Sequence, residues 1–135
     1  MGQQDRGLTD FRKAMSFPTV NPSGLYRQRC EFLTGIGRPQ DALADCDKSV
    51  SLAAAGHPDA LNSRANAYLK LGQFQRAIQD YDAALRRDGR FAPALYARGV
   101  SKLKMGDAKG DADITAAKAI NPYIANMAAE DGIAP

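Results

Sequence analysis

Apolar residues in the middle of the chain recur at steps of three and four, which is the spacing of one face of an α-helix. The first such stripe consists of Leu61, Ala65, Tyr68 and Leu69. A second stripe follows Gly72 and consists of Phe74, Ala77, Ile78, Tyr81, Ala84 and Leu85. Because glycine adopts the left-handed conformation that a tight helix stop requires, Gly72 is predicted to end the first helix. The pattern therefore predicts two amphipathic helices in a hairpin, which needs neighbouring hairpins to bury both of its faces.

This hairpin recurs on both sides at a period of about 34 residues. Shifted forward, Leu61, Arg64, Ala65 and Gly72 correspond to Leu95, Arg98, Gly99 and Gly106. Shifted back, the same four positions correspond to Tyr26, Arg29, Cys30 and Gly37. The period, with small residues where helices should cross and aromatic residues beside them, resembles the tetratricopeptide repeat. The central copy carries most of that signature, in Ala65, Tyr68, Gly72, Phe74, Ala77, Tyr81 and Ala84.

The resemblance covers roughly residues 23–122 and implies an all-α fold, a right-handed α-solenoid of three helix hairpins with a C-terminal capping helix. The hairpins are expected at about 24–55, 58–88 and 92–121, and the capping helix at about 122–131. Residues 1–23 are predicted to be partly disordered or to form a short packing helix, the remnant of a preceding hairpin. Gly110 is expected to weaken the second helix of the third hairpin.

Composition places the chain among ordinary soluble single domains, with 135 residues, 44% hydrophobic and 24% charged. No apolar run approaches the ~20 residues that span a membrane. The sequence as given begins with polar residues and shows no secretory signal, so the default expectation is cytoplasmic, with periplasmic as the alternative for a processed chain. The amino-acid sequence of the repeats is similar in style to that of bacterial members of the family.

Catalytic chemistry is not indicated, so we expect no enzyme, no cofactor and no metal. His57 is the single histidine and stands in a predicted loop without an acid or nucleophile at fixed spacing. Aspartates recur on the predicted second helices and are expected to form a solvated outer face rather than acid–base pairs; they are Asp41, Asp45, Asp47, Asp80, Asp82, Asp111 and Asp113.

The two cysteines leave two interpretations open. Cys30 and Cys46 fall on opposite helices of the first hairpin, nearly symmetric about its turn. One interpretation is a pair of small buried side chains that fill a helix crossing. The other is a disulfide or redox pair, which would imply an oxidising compartment.

The resemblance implies that a partner binds in a concave groove lined by the first helices of the hairpins. The matching positions are Arg27, Glu31, Asn62, Asn66, Leu69, Lys70, Tyr96, Val100, Leu103 and Lys104. The first helices hold more basic than acidic residues, so the expected partner is a protein or peptide with acidic character. The recurring Arg29, Arg64 and Arg98 are expected to make contacts between repeats instead of binding ligand.

Two other functions compete with this scaffold hypothesis. The first is self-association, in which the end repeats of one chain stack on those of another to form a homo-oligomer. The second is nucleic-acid binding, suggested by a sequence pI of about 9.0. Since the formal net charge is only +3 and no basic cluster with interleaved aromatic residues exists, nucleic acid is not expected as a partner, and neither is a membrane.

Overall fold

The computed structural model describes residues 2–18, 22–55 and 57–135, and within these ranges it contains eight α-helices and no strand. The helices are α1 (Gln3–Met15), α2 (Pro22–Gly35), α3 (Pro39–Leu52), α4 (Pro58–Lys70), α5 (Phe74–Arg87), α6 (Ala92–Lys104), α7 (Gly110–Ile120) and α8 (Ile124–Glu130). Helices α2 and α3, α4 and α5, and α6 and α7 form three hairpins, and α3 packs on α4 as α5 packs on α6. The predicted all-α helical solenoid is therefore confirmed.

The three hairpins turn through the same backbone motif. Gly37, Gly72 and Gly106 have φ values of 82°, 75° and 81°. After Gly72, the N–H of Gln73 donates to the carbonyl of Tyr68 at 2.9 Å, which closes the end of α4. Equivalent bonds follow the other two glycines. The predicted role of Gly72 is confirmed, because its positive φ is a conformation that side chains with a Cβ rarely adopt.

The apolar core is divided into two clusters of unequal size. The larger cluster joins the second and third hairpins with the C-terminal residues, and its fully buried members include Tyr81 and Val100. The smaller cluster belongs to the first hairpin and consists of Cys30, Leu33, Ala42, Cys46 and Ala67. Ala67 lies on α4, so this small cluster contributes to the apolar contact between the first and second hairpins, to which Val50 of α3 adds by packing on the larger cluster.

A disulfide lies at the centre of the smaller cluster. The sulfur atoms of Cys30 and Cys46 are 2.05 Å apart, and both residues are fully buried. The bond ties α2 to α3 across a separation of 16 residues. Of the two interpretations that the sequence left open, the structure contains the disulfide.

Gly110 has a different effect from the one expected from helix propensity. A Cβ on Gly110 would lie 2.3 Å from the carbonyl oxygen of Gly99, and a Cβ on Gly99 would lie 2.6 Å from the carbonyl oxygen of Gly110. The two glycines therefore let α6 and α7 approach with backbone against backbone. The expectation that Gly110 weakens its helix did not include this second role, in which the crossing leaves no room for a larger residue.

Helix α1 packs on α2 of the first hairpin through the ring of Phe32. The rings of Phe11 and Phe32 are 5.6 Å apart, and Gly7 lies directly over the Phe32 ring. No residue of α1 is buried. Residues 19–21, which belong to the N-terminal segment defined from the sequence, lie outside the described residues.

Over the ranges that the structure describes, every helix is too short or too polar to cross a lipid bilayer.

Candidate partner-binding groove

The first helices of the hairpins border an open cavity of about 330 Å³, which we call the inner groove. It is lined by residues of α2, α4, the start of α6 and the C-terminal segment, namely Glu31, Thr34, Gly35, Asp59, Asn62, Ser63, Asn66, Lys70, Phe91, Pro93, Asp131 and Ile133. Four of the ten groove positions predicted from the sequence meet here: Glu31, Asn62, Asn66 and Lys70. Arg27 lies one helical turn from Glu31 and donates to its Oε1 at 2.8 Å.

Three predicted groove residues are buried, and their prediction as binding surface is wrong. Leu69, Tyr96 and Val100 have exposed fractions of 6%, 4% and 0%. All three belong to the larger core cluster, which also contains Ile124 and Ile133 of the C-terminal segment. Helix α8 packs chiefly on α6, so the C-terminal segment covers the inner face of the third hairpin instead of only closing the end of the stack.

The remaining two predicted residues lie outside the inner groove. Leu103 points toward the α6–α7 crossing, where its Cγ would be 2.8 Å from a Cβ on Gly110. Lys104 is exposed at the end of α6 and does not line the cavity. The third hairpin therefore contributes to the groove mainly through Phe91 and Pro93, at the beginning of α6.

Two asparagines on successive turns of α4 supply the polar centre of the groove. The hydroxyl of Tyr81 donates to Oδ1 of Asn66 at 2.5 Å. Burial chiefly, together with the charge of Asp80, raises the pKa of Tyr81, so its hydroxyl remains a donor. Asn62 lines the same cavity, and its buried Oδ1 has no hydrogen-bond partner among the described residues. The amide of Asn66 is therefore fixed at the groove, whereas the unpartnered oxygen of Asn62 is buried away from it.

Hydrogen bonds also hold Glu31 in place at the edge of the groove. The hydroxyl of Ser63 lies 2.6 Å from Oε1 of Glu31 and 2.9 Å from the carbonyl of Asp59. The same Oε1 accepts from Arg27. The charge of Glu31 is therefore largely balanced within the chain, whereas the carboxylates of Asp59 and Asp131 form no ion pair with any described residue.

The recurring arginines face the second helices and not the groove. Each donates through Nε and Nη2 to one aspartate of its own hairpin at 2.7–2.9 Å. The pairs are Arg29 with Asp45, Arg64 with Asp80 and Arg98 with Asp113. Through Nη1, Arg64 and Arg98 also reach the preceding hairpin, at Asp47 (3.3 Å) and Asp82 (2.8 Å).

These arginine–aspartate pairs, which we call the arginine ladder, correct the expected solvated outer face for three of its seven aspartates, whereas Asp41, Asp47 and Asp111 are exposed as expected. Asp45, Asp80 and Asp113 are buried, because each balances an arginine. The hydrogen bond to Asp113 is the main factor that raises the pKa of Arg98. Burial alone would raise the pKa of Asp113, but Arg98 and Lys102 outweigh it and lower that pKa. The three carboxylates are structural, and they balance Arg29, Arg64, Arg98 and Lys102 of the first helices.

Comparison with known proteins agrees with this architecture. A family model of the tetratricopeptide repeat matches residues 58–91, which contain α4 and α5. The chain therefore contains a tetratricopeptide repeat at residues 58–91. Its fold resembles the crystal structure of MamA, with a TM-score of 0.73 and 20% sequence identity over 98% of this chain and 82% of that chain. None of the curated proteins compared with the chain matches it.

The family match gives a general role, because tetratricopeptide repeats mediate protein–protein interaction and the fold is generally a non-catalytic scaffold. At 20% identity the likeness to MamA shows the fold alone. Among the described residues, no group of three or more His, Cys, Asp or Glu side chains is arranged to hold a metal ion.

Sequence reasoning missed the groove residues that come from outside the first helices of the repeats. Gly132 has a φ of 72°, and the N–H of Ile133 donates to the carbonyl of Ala128 at 2.8 Å, which ends α8 and brings Ile133 back against the core. A Cβ on Gly132 would lie 2.3 Å from Nζ of Lys70, so the end of the chain borders that ammonium group. The signal was present, because a glycine followed by an apolar residue after a helix marks a capping motif.

Proposed function

We propose that this tetratricopeptide-repeat protein is a non-catalytic scaffold whose inner groove binds a peptide segment or a helix of a partner protein. The open inner groove carries the proposal, because it lies along the first helices and is lined by the side chains of Asn66 and Lys70. The amide of Asn66 is held by Tyr81 and offers its N–H groups to a peptide backbone.

The test compares proteins captured from a lysate of the source cells by the wild type and by a groove variant, Asn62→Leu with Lys70→Glu. Asn66 is left intact, because its replacement would strand the Tyr81 hydroxyl. A control with the same two changes, Gln79→Leu with Lys48→Glu, alters exposed positions on the second helices. A protein identified by mass spectrometry that binds the wild type and the control, and not the groove variant, supports the groove. Equal capture by all three contradicts it.

The alternative of self-association rests on a different observation, the exposed apolar residues at the C-terminal end of the stack. Tyr123 and Met127 are 70% and 50% exposed. Light scattering across a range of concentrations tests this alternative directly. If the measured mass stays at that of one chain, 14.5 kDa, at every concentration, self-association is eliminated. If the mass of the wild type rises with concentration and that of the double variant Tyr123→Ser with Met127→Ser does not, self-association is supported.

A further inference from the structure

The disulfide lies next to one wall of the inner groove. Helix α2 provides this wall through Glu31, Thr34 and Gly35, which follow Cys30 in the chain. Sγ of Cys30 lies 3.7 Å from the carbonyl oxygen of Ser63, which belongs to α4 and lines the groove from the other side. The hydroxyl of Ser63 lies 2.6 Å from Oε1 of Glu31. The bond that ties α2 to α3 therefore also helps to fix the α2 wall relative to α4.

The disulfide occupies the place where the other hairpins pack a bulky side chain. The equivalent positions on the first helices directly follow the ladder arginines, and those on the second helices directly follow the ladder aspartates. The resulting pairs, all buried, are Cys30 with Cys46, Ala65 with Tyr81 and Gly99 with Ile114. A reduced cysteine is much smaller than tyrosine or isoleucine, so it buries less apolar surface at this crossing. In the first hairpin the covalent bond takes the place of that packing.

Contacts other than the disulfide give the first hairpin limited support. Its cluster contains few buried apolar residues besides the two cysteines. Polar contacts add the Arg29–Asp45 pair and the hydrogen bonds between Ser23 and Ser49. The second and third hairpins instead share the larger cluster with the C-terminal segment. Loss of the cross-link is therefore expected to loosen α2 while the rest of the stack stays folded.

We propose that the Cys30–Cys46 disulfide controls binding in the inner groove. The oxidised chain holds α2 in place and binds the partner, whereas reduction loosens the α2 wall and weakens binding. This inference rests on the proposed function and names the regulation of that site. Because the coupling between two equilibria is reciprocal, a bound partner also favours the oxidised form.

The redox step needs a dithiol reductant, which supplies two electrons and two protons. One thiolate of the reductant attacks a sulfur atom of the bridge, forms a mixed disulfide and releases the other cysteine as a thiolate. The second thiol of the reductant then displaces the remaining cysteine, so the chain gains two thiols and the reductant leaves as its own disulfide. Both cysteines are fully buried, so this attack requires α2 to separate from its neighbours first.

The test uses a peptide probe selected on the oxidised wild type from a random library displayed on phage. A peptide qualifies when it does not bind the groove variant Asn62→Leu with Lys70→Glu. Fluorescence anisotropy then measures the affinity of the labelled peptide for the oxidised protein and for protein reduced with dithiothreitol, a dithiol. We expect reduction to weaken binding at least about tenfold. Circular dichroism of the reduced protein should retain most of the helical signal, because α4 to α8 stay folded.

Two double variants separate the covalent bond from the packing around it. Cys30→Ala with Cys46→Ala lacks both and should bind as weakly as the reduced wild type, with or without dithiothreitol. Cys30→Ala with Cys46→Tyr copies the pair Ala65 and Tyr81 of the second hairpin, so it restores a packed crossing without sulfur. This variant should bind the peptide about as strongly as the oxidised wild type, and dithiothreitol should not change its affinity.

The outcomes separate this inference from the proposed function. Equal affinities of the oxidised and reduced wild type, or full binding by the alanine double variant, overturn the redox control, while groove-dependent binding of the peptide still supports the scaffold. Loss of the helical signal from the whole reduced chain also overturns it, since the control requires the second and third hairpins to stay folded. A wild type that enriches no groove-dependent peptide and captures no groove-dependent partner overturns both.

Discussion

At the scale of single residues, the small side chains at the helix crossings set how closely the two helices of a hairpin approach. In the third hairpin both crossing residues, Gly99 and Gly110, are glycine, and the backbones meet directly. Helix propensity favours alanine over an internal glycine by about 1 kcal/mol, but overpacking costs about 1–3 kcal/mol. Packing therefore decides whether a substitution at this crossing raises or lowers the free energy of unfolding.

We expect Gly110→Ala to lower the free energy of unfolding by about 1–3 kcal/mol, because its Cβ would collide with the carbonyl oxygen of Gly99. Gly35→Ala is the matched control, since Gly35 is also helical and nothing lies within 4 Å of its added Cβ. That variant should be neutral or more stable by up to about 1 kcal/mol. Urea unfolding followed by circular dichroism measures both, and a stabilised Gly110→Ala would contradict the close crossing.

The arginine ladder predicts unequal effects for two aspartates that contact the same arginine. Asp80 is 11% exposed and binds Arg64 through both carboxylate oxygens, whereas Asp47 is 59% exposed and makes one longer contact. Asp80→Asn should cost about 2–4 kcal/mol of unfolding free energy, since it leaves a partly buried arginine poorly balanced. Asp47→Asn should cost less than about 1 kcal/mol. If urea titrations show the same loss of unfolding free energy for both variants, the bidentate pair contributes no more to stability than the single exposed contact.

Acid should weaken the ion pairs of the arginine ladder, and the pKa of Asp113 shows over which pH range their contribution to stability is lost. Its pKa lies below the ordinary value of 3.8, because Arg98 and Lys102 outweigh the effect of burial. A lowered pKa in the folded state means that this contribution is complete above the unfolded value and is lost as the pH falls through the folded value. The free energy of unfolding should therefore decrease below about pH 4, and less steeply for Asp113→Asn. Denaturant midpoints between pH 2 and 7 measure this, and parallel pH profiles for the two proteins would exclude the role of Asp113.

At the scale of helices, the sequence predicted what local signals determine. The starts at Pro39 and Pro58 and the stop at Gly72 agree with the structure, because proline and glycine impose their own backbone conformations. The burial of Asp80 could not be read from α5 alone, since it depends on Arg64 of another helix. Only the joint recurrence of arginine and aspartate, about 16 residues apart in every hairpin, carried that information.

The candidate groove was less predictable than the helices, for a similar reason. The repeat pattern identified Asn62 and Asn66 because they lie on a first helix at matching positions. It also assigned Val100 to the groove, since the same register places it on the inner face of α6. The position of the C-terminal segment follows from the packing of Ile124 and Ile133, which no periodicity describes.

The disulfide joins the two helices of the first hairpin. Closing a loop of this length is worth about 3 kcal/mol in chain-entropy models. Protein unfolded without reductant should therefore show no free thiol, and reduction should expose two and lower the free energy of unfolding by about 2–4 kcal/mol. Cys30→Ala with Cys46→Ala should be insensitive to the reductant. Two reactive thiols in the unreduced, unfolded protein would contradict the disulfide.

At the scale of the whole molecule, a stack of hairpins is stabilised by each hairpin and by its contacts with direct neighbours. Here those contributions are uneven. The second and third hairpins share the larger core cluster with the C-terminal segment, while the first hairpin relies on the small cluster around Cys30 and Cys46. Stability should therefore decrease from the C-terminal part of the stack toward its N-terminal part.

Hydrogen exchange measured by mass spectrometry can resolve this gradient helix by helix. In the reduced protein, amides of α2 and α3 should exchange faster than those of α4 to α7, because the first hairpin buries few apolar residues and is otherwise held by the Arg29–Asp45 pair and the Ser23–Ser49 hydrogen bonds. With the disulfide intact the difference should narrow, since the cross-link opposes separation of α2 from α3. The double cysteine-to-alanine variant should reproduce the reduced pattern without reductant. One common exchange rate for all three hairpins in the reduced protein would instead mean that the ladder and Ala67 couple them into a single cooperative unit.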